Sequence, residues 1–194
     1  MEAAAERACR AVGYRNAGTF EFLLGPDGSF YFIELNARLQ VEHPVTELCT
    51  GIDIVREQLL IASGEQLSLT GRAPRRGHAI EIRLNAEDPE HDFRPSPGRL
   101  TRFETAQGPG VRTDTFVEQG STIPPYYDSL IAKLIVWDSD RDAAIARALR
   151  TLRETLVEGV PTTRELALEV LASEPFRSGE YSTSTLDALR AVPV

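Results

Sequence analysis

TFEFLLGPDGSFYFIELN, residues 19–36, decides the fold of the first part of this chain. Two runs of apolar and aromatic residues, 19–24 and 29–36, have the composition of β-strands. The Gly-Pro-Asp-Gly segment between them, residues 25–28, is a strong turn signal. Two such runs joined by a short Gly-containing turn predict a β-hairpin.

Two glutamates interrupt the apolar strands of this hairpin. If the chain turns at Asp27 and Gly28, Glu21 and Glu34 face each other, and like charges so placed are destabilising unless they are neutralised. Asn36 lies two residues after Glu34 and therefore on the same strand face. Two carboxylates and an amide oxygen form the kind of site that Mg²⁺ or Mn²⁺ occupies. The alternative, which the spacing leaves open, is that both glutamates lie on a solvated face.

The hairpin is followed by ARLQVEHP, residues 37–44, which combines an arginine, an amide and a carboxylate. The guanidinium of Arg38 can hold a planar anion such as a carboxylate or bicarbonate through two hydrogen bonds. Glu42 could then accept a proton from the bound species. The alternative is an ordinary surface ion pair of Arg38 and Glu42. His43 has the features of a core or capping residue, and we expect no catalytic role for it.

The remaining pattern of strands and helices occurs in blocks, which predicts an α+β fold. We place a domain boundary within residues 68–77, which are rich in Gly, Pro and Arg, so that the domains span residues 1–70 and 77–190. Arg83 lies in the middle of a predicted strand and is either exposed or directed into a cleft between the two halves. Helices are predicted at residues 2–12 and 46–63. A third helix is capped by Asp138 or Ser139 and has Ile145, Leu149, Leu152 and Leu156 on one face, and a fourth is opened by Pro161 with a Thr162–Glu165 capping box. The predicted strands after the hairpin are 78–85, 99–104, 111–116 and 129–136, and residues 86–98 are predicted to be loop.

Composition excludes several classes of protein. The formal net charge of −8 over 194 residues is unsuited to nucleic acid, whose phosphates require Lys and Arg. No apolar run has the length of a membrane span, and the charged N-terminal residues do not resemble a signal peptide. Cys9 and Cys49 form no metal-binding pattern and suit a reducing compartment. We therefore expect a cytoplasmic protein without membrane or nucleic-acid partners.

The run at residues 19–59 closely resembles the metal-binding hairpin and bicarbonate loop of biotin carboxylases, which are ATP-grasp ligases. The resemblance continues through GHAIEIRLNAEDP (77–89), RPSPGRLTRF (94–103) and PPYYDSLIAKLIVW (124–137). It extends from about residue 8 to about residue 189. Several long motifs in the same order are much more specific than one short pattern.

The resemblance implies a role for each matching residue. Glu21, Glu34 and Asn36 resemble the metal ligands of the ATP-grasp site. Arg38, Gln40 and Val41 resemble the bicarbonate-binding residues, Val41 through its backbone N–H. Glu42 resembles the general base for bicarbonate, and Arg83 resembles the arginine that binds bicarbonate and stabilises the biotin enolate. Asp128 falls in a family motif near the biotin pocket.

The activity implied by the resemblance is carboxylation of carrier-bound biotin with bicarbonate and ATP through carboxyphosphate. The implied cofactors are Mg²⁺ or Mn²⁺, ATP and biotin, and the implied partners are a biotin carboxyl carrier, a carboxyltransferase and a second copy of the chain. The family also has an N-terminal α/β domain and a glycine-rich lid over ATP, which the present residues do not include. We therefore expect a fragment or a split-gene product that is inactive alone, with the C-terminal part of an ATP-grasp domain (1–70) followed by the biotin carboxylase C-terminal domain (77–190).

Two other functions stay open at this point. The chain could act as a non-catalytic assembly module, because the C-terminal domain of biotin carboxylases also contributes to self-association. It could also belong to another ATP-grasp ligase, such as a carbamoyl-phosphate synthetase. The motif QVEHPVTE (40–47) fits bicarbonate chemistry in either ligase, and PPYYDSLIAKL (124–134) favours the biotin enzymes.

Overall fold

The computed structural model of this protein describes residues 1–191 and divides into two units, one from Met1 to Arg75 and one from Arg76 onward. Helices and strands occur in both units, which confirms the predicted α+β class. The elements of the first unit are α1 (Glu2–Val12), β1 (Thr19–Leu24), β2 (Phe30–Asn36), α2 (His43–Thr50) and α3 (Ile54–Ala62).

The second unit is richer in strands. Its elements are β3 (His78–Asn85), β4 (Glu87–Asp88), a short 3-10 turn (Pro89–His91), β5 (Arg94–Pro95), β6 (Gly98–Arg99), β7 (Arg102–Glu104), β8 (Val111–Thr115), β9 (Thr122–Ile123), β10 (Leu130–Asp138), α4 (Arg141–Glu154), β11 (Leu156–Glu158), α5 (Arg164–Ala172), α6 (Glu174–Ser178) and α7 (Thr185–Arg190).

The antiparallel hairpin of β1 and β2 has the predicted register, with Glu21 opposite Glu34. The register shifts immediately afterwards, because Phe22 pairs with Phe32 and Ile33 becomes an extra residue in β2. Such a bulge increases the local twist of a hairpin. In the turn, Gly25 donates its N–H to the carbonyl of Ser29 at 2.7 Å.

The predicted helix over residues 46–63 is wrong, because α2 and α3 are separate helices. Gly51 ends α2 with a left-handed φ of 75°, which glycine adopts at little cost. Asp53 then starts α3 by accepting a hydrogen bond from the N–H of Arg56 at 2.8 Å. The start of the predicted helix at residue 46 is also too late, since α2 begins at His43 with Pro44 in its first turn, a favourable position for proline.

The main sheet of the second unit is antiparallel, with the strand order β3-β10-β8. β3 matches the predicted strand at both ends. α4 packs on the face of the sheet that carries Leu134 and Val136, and the apolar core between them includes Ala148 and Leu152 of α4, which are fully buried. A second core lies under the short strands and contains Leu84, Ala86, Leu100, Val117, Ile123, Ile131, Ala132 and Val160.

The prediction that residues 86–98 are loop is wrong in part, because this segment contains short paired strands. β4 and β5 pair with each other, and β6 pairs with β9. The predicted strand over 99–104 is divided between β6 and β7, and β7 pairs with β11. β6 and β7 depend on β9 and β11, which lie much later in the chain, and local patterns do not reveal such partners.

Three predictions about the C-terminal helices are corrected by the structure. α4 is capped by Asp140, whose side chain accepts from the N–H of Ala143 at 2.9 Å, rather than by Asp138 or Ser139. Leu156 is not on the apolar face of this helix, because α4 ends at Glu154 and Leu156 begins β11. α5 follows Thr163 as N-cap without a side-chain capping bond, so the Thr162–Glu165 capping box does not form. No helix within residues 1–191 combines the length and the apolar character that crossing a bilayer requires.

Candidate functional site

The carboxylates of Glu21 and Glu34 are brought together by the hairpin and joined by Asn36. Asn36 Nδ2 donates to Glu21 Oε1 at 2.7 Å and to Glu34 Oε1 at 3.3 Å. One amide nitrogen therefore lies between two carboxylate oxygens from opposite strands. The alternative of two independent, fully solvated glutamates does not describe this pair, because Glu21 and Asn36 are half-buried, although Glu34 is exposed.

The donor set fits a divalent cation that keeps part of its hydration shell. The NH₂ group of Asn36 occupies the point on which the two carboxylates converge. This point therefore accommodates a positively polarised group. Within residues 1–191 no three or more His, Cys, Asp and Glu side chains are grouped to hold a metal. Two carboxylates and one amide oxygen are the limited protein contribution that Mg²⁺ uses when water and phosphate complete its ligands. Glu21 and Glu34 would hold it, and Asn36 would join them once its amide turns to present the oxygen in place of the NH₂ group.

The segment 38–42, which we name the anion loop, follows β2 and leads into α2. Gln40 Nε2 donates to Glu21 Oε1 at 3.2 Å, which connects this loop to the carboxylate pair. The carbonyl of Gln40 accepts from the N–H of His43 at 3.2 Å and lies 2.7 Å from His43 Nδ1. Because a carbonyl has no proton to donate, Nδ1 carries the hydrogen. His43 thus closes the turn of the loop.

The other loop residues are oriented by local backbone bonds. The guanidinium of Arg38 is exposed and donates through Nη1 to the carbonyl of Leu39 at 3.3 Å. Val41 and Glu42 are exposed at the loop's end, and the carbonyl of Glu42 accepts from the N–H of Val45 at 3.1 Å. The N-terminal end of a helix favours negative charge through its dipole. The arginine, the amide and the helix start therefore occur within one short segment.

Arg83 belongs to the second unit, where it lies in a row of charged side chains across the sheet. In the strand register, Lys133 of β10 is opposite both Arg83 of β3 and Asp114 of β8. Lys133 Nζ is 3.4 Å from Asp114 Oδ2, and its side chain is only 12% exposed. The Nε of Arg83 is 3.7 Å from a carboxylate oxygen of Glu81, whose side chain is buried. Two cations are therefore neighbours on this face.

Asp114 balances part of this positive charge. Arg112 donates to it through two hydrogen bonds, at 2.7 and 2.9 Å. Burial raises the pKa of Asp114, but the hydrogen bond and charge of Arg112 and the charge of Lys133 together hold the pKa below its ordinary value. The carboxylate is therefore ionised at neutral pH and keeps the nearby cations in place.

Sequence reasoning missed several residues around these sites. Lys133 is the single charge in the apolar run LIAKLIV, a signal that the sequence does contain. Thr163 Oγ1 donates to the carbonyl of Arg83 at 3.2 Å and accepts from the N–H of Asn85 at 3.1 Å, a connection across about eighty residues without a local signal. Asp128, by contrast, was singled out from the sequence, and in the structure it accepts from the N–H of Leu130 at 2.8 Å and so orders the start of β10.

The chain resembles known proteins over nearly its whole length. The family described as biotin carboxylase C-terminal domain matches residues 81–188, and the family described as carbamoyl-phosphate synthase L chain, ATP binding domain, matches residues 1–70. The chain is 53% identical over 185 residues to a biotin carboxylase of Nostoc sp., covering 95% of this chain and 41% of that protein. It is 53% identical over 183 residues to a biotin carboxylase of Allochromatium vinosum, covering 94% of this chain and 40% of that protein.

A solved structure gives the same relationship. The biotin carboxylase domain dimer of the Hydrogenobacter thermophilus 2-oxoglutarate carboxylase, in complex with MgADP, ADP and bicarbonate, superposes with a TM-score of 0.93 at 42% identity, covering 96% of this chain and 41% of that one. The chain thus spans about two fifths of the length of these relatives. Because the C-terminal domain family matches more than half of its residues, the chain belongs to the biotin carboxylase family.

Proposed function

We propose that this chain supplies part of the active site of a biotin carboxylase, which uses ATP and bicarbonate to carboxylate biotin on a carrier. The observation that carries the proposal is the convergence of Asn36 and Gln40 on one oxygen of Glu21, beside Glu34. It brings the predicted cation ligands and the predicted anion loop into contact. The MgADP and bicarbonate bound by the Hydrogenobacter relative support the same assignment.

The carboxylate pair would serve the phosphoryl-transfer step. A Mg²⁺ or Mn²⁺ ion held by Glu21, Glu34 and Asn36 would neutralise charge on the ATP phosphates. The opposed placement of the glutamates on a hairpin keeps both carboxylates directed at one point without help from a flexible loop. Hydrogen bonds from Asn36 to both carboxylates support this orientation.

The anion loop would position bicarbonate for attack on the γ-phosphate. Arg38 would bind two of its oxygens through the guanidinium fork, and the Gln40 amide and the Val41 N–H would donate to it. Glu42 would take the bicarbonate proton, so that the freed oxygen forms the new bond to phosphorus while the bond from phosphorus to ADP breaks. The product is carboxyphosphate, which breaks down to carbon dioxide and phosphate.

Arg83 would act in the second half of the reaction. A guanidinium stabilises the negative charge that develops on the ureido oxygen of biotin when its nitrogen gives up a proton. The biotin enolate then captures carbon dioxide at that nitrogen. Lys133, opposite Arg83, and Asp114, on the far side of Lys133, would maintain the charge balance of this face.

We also assign residues 1–70 to the C-terminal part of an ATP-grasp domain and residues 77–190 to the biotin carboxylase C-terminal domain. The division into units at Arg75 and the two family matches support these limits. The partners we propose are the biotin carboxyl carrier, a carboxyltransferase and, because the Hydrogenobacter relative is a dimer, a second copy of the chain. The acyl acceptor would be selected by the carboxyltransferase.

The test is a titration of bicarbonate into the purified chain, followed by the backbone amide NMR signals of residues 38–42. We expect weak, saturable shifts that Arg38→Ala abolishes and that Arg56→Ala, a change of an exposed arginine in α3, leaves intact. Shifts that persist in Arg38→Ala, or that chloride produces equally, would refute the bicarbonate assignment. Calorimetric titration of magnesium-ATP, with Glu34→Ala as control, then shows whether these residues bind nucleotide by themselves.

A further inference from the structure

Gln40 is held at both of its ends, by groups that belong to different parts of the first unit. Its side-chain amide donates to Glu21 Oε1 across nineteen residues of sequence. Its main-chain carbonyl accepts from the N–H and from the ring Nδ1–H of His43 at the start of α2. The residue therefore bridges the carboxylate pair and the anion loop, and it is itself half-buried.

The oxygen that Gln40 contacts is the same oxygen that Asn36 contacts. Glu21 Oε1 receives Asn36 Nδ2 at 2.7 Å and Gln40 Nε2 at 3.2 Å. Hydrogen bonds to an ionised carboxylate are stronger than those between neutral groups. The orientation of the Glu21 carboxylate and the orientation of the Gln40 amide are consequently set together.

The planarity of an amide gives this contact a consequence for the loop. When the NH₂ group of Gln40 is directed at Glu21, the carbonyl oxygen of the same amide is directed to the other side. A shift of the Glu21 carboxylate on cation binding would therefore act, through this bond, on the orientation of the amide or on the loop backbone. His43 restrains that backbone at the carbonyl of Gln40, so the displacement cannot be absorbed freely there.

We propose that Gln40 couples the cation site to the anion loop, so that a divalent cation on Glu21 and Glu34 tightens binding of bicarbonate by the loop. Coupling between two ligands is reciprocal, so bicarbonate must tighten cation binding by the same factor. Each ligand would then bind more tightly where the other is already present. This inference rests on the proposed function, because the divalent cation and bicarbonate are the ligands of that function.

The experiment is a Mg²⁺ titration of the full chain with and without saturating bicarbonate. The side-chain amide NMR signal of Asn36 reports occupancy of the carboxylate pair, and the backbone amide of Val41 reports the loop. We expect bicarbonate to lower the apparent Kd for Mg²⁺ by about fivefold or more in the unmodified chain. Gln40→Met keeps the length of the side chain and lacks the donor. Once bicarbonate has been raised until the Val41 signal saturates, it should change the Kd of this variant for Mg²⁺ by less than about twofold. Gln66→Met, on an exposed loop of the same unit, should behave as the unmodified chain.

The outcomes separate this inference from the function on which it rests. Equal coupling in Gln40→Met, or Mg²⁺ binding without any effect of bicarbonate in the unmodified chain, would overturn the coupling and leave the cation site standing. No response of Asn36 to Mg²⁺ would overturn both. Should Gln40→Met lose its dispersed spectrum, Gln40→Asn, whose amide is one methylene too short to reach Glu21, replaces it with the same expected loss of coupling.

Discussion

Glu34 is the more exposed partner of the carboxylate pair, and its contribution to cation binding can be tested by itself. Glu34→Gln removes one of the two negative charges while the amide keeps the size of the side chain. Because Mg²⁺ would have two protein carboxylates here, we expect the loss of one to weaken Mg²⁺ binding at least about tenfold, or about 1.4 kcal/mol. The Asn36 side-chain NMR signal measures this, and Glu65→Gln, on an exposed loop, is the control. Unchanged affinity in Glu34→Gln would exclude it as a ligand.

Asp114 makes the stability of the second unit dependent on pH. Its pKa is depressed in the folded protein by Arg112 and Lys133, against the raising effect of burial. A depressed pKa contributes stability that is present above the unfolded value, about pH 4, and is lost as the pH falls through the folded value. We therefore expect Asp114→Asn to be less stable than the unmodified chain at pH 7 in urea unfolding, and the difference to shrink below about pH 4. A difference that is constant with pH would contradict this.

The residues of the site were predictable to different degrees. Alternation along a strand and a clear turn place Glu21, Glu34 and Asn36 together, and the structure agrees because the bulge at Ile33 lies on the turn side of Glu34. The bond from Gln40 to Glu21 was not predictable, since it depends on where the loop returns to the hairpin.

At the scale of elements, the N-cap of α4 provides a direct test of the structure. The sequence Asp138-Ser139-Asp140 contains three residues that cap helices well, and only the end of β10 at Asp138 decides that Asp140 is the cap. Asp140→Ala should lower the free energy of unfolding by about 1 kcal/mol. Ser139→Ala should have a much smaller effect. Chemical denaturation measures both, and a larger loss in Ser139→Ala would show that Ser139 is the cap instead.

Gly159 directly follows β11 and lies beyond the end of α4 at Glu154. It has a φ of 108°, and an added Cβ would lie 2.2 Å from the carbonyl oxygen of Arg99 and 2.8 Å from the N–H nitrogen of Thr101. The close approach exists because Thr101 donates to the carbonyl of Glu158 at 2.8 Å, next to the pairing of β11 with β7. Glycine is therefore required there for the sheet rather than for a helix end.

Gly159→Ala should accordingly destabilise the second unit by roughly 2 kcal/mol or more, since both φ and the backbone contact oppose a side chain. Gly179→Ala is the matched control, because Gly179 also has a positive φ, 82°, but its Cβ would meet no atom within 4 Å. Thermal unfolding should show a clearly lower Tm for Gly159→Ala than for Gly179→Ala. Equal Tm values would mean that the contact with the Arg99 strand is not made.

Elements with strong local signals were predicted well, and elements that depend on distant partners were not. β3 and the hairpin follow from alternation and turn residues. The apolar periodicity of residues 46–63 continues through Gly51 without a break. In the structure, the positive φ of Gly51 ends α2, and Asp53 then starts α3. Leu156 continued the period of α4 but belongs to β11, whose partner β7 is about fifty residues away.

At the scale of the whole molecule, the buried apolar side chains are distributed unequally. Within residues 1–191, Cys49 and Pro44 are the buried members of the first unit, and the others lie in the second unit. In the first unit, by contrast, Leu23, Leu24, Tyr31 and Phe32 of the hairpin are each more than half exposed. Since burial of apolar surface is the main stabilising contribution to folding, the two units should differ greatly in stability.

We therefore expect residues 76–194, produced alone, to unfold cooperatively at a Tm close to that of the full chain, because both apolar cores lie within them. Residues 1–75 alone should show no cooperative transition, since they lack a core that could offset the loss of chain entropy. Calorimetry of the two pieces and of the full chain measures these transitions. Leu134→Ala opens a cavity at a fully buried position and should lower the Tm of residues 76–194 and of the full chain alike. A cooperative transition in residues 1–75, or none in residues 76–194, would show that stability is not located where the buried side chains are. If the expectation holds, the carboxylate pair and the anion loop lie on the less stable unit, and their ligands should stabilise that unit by mass action.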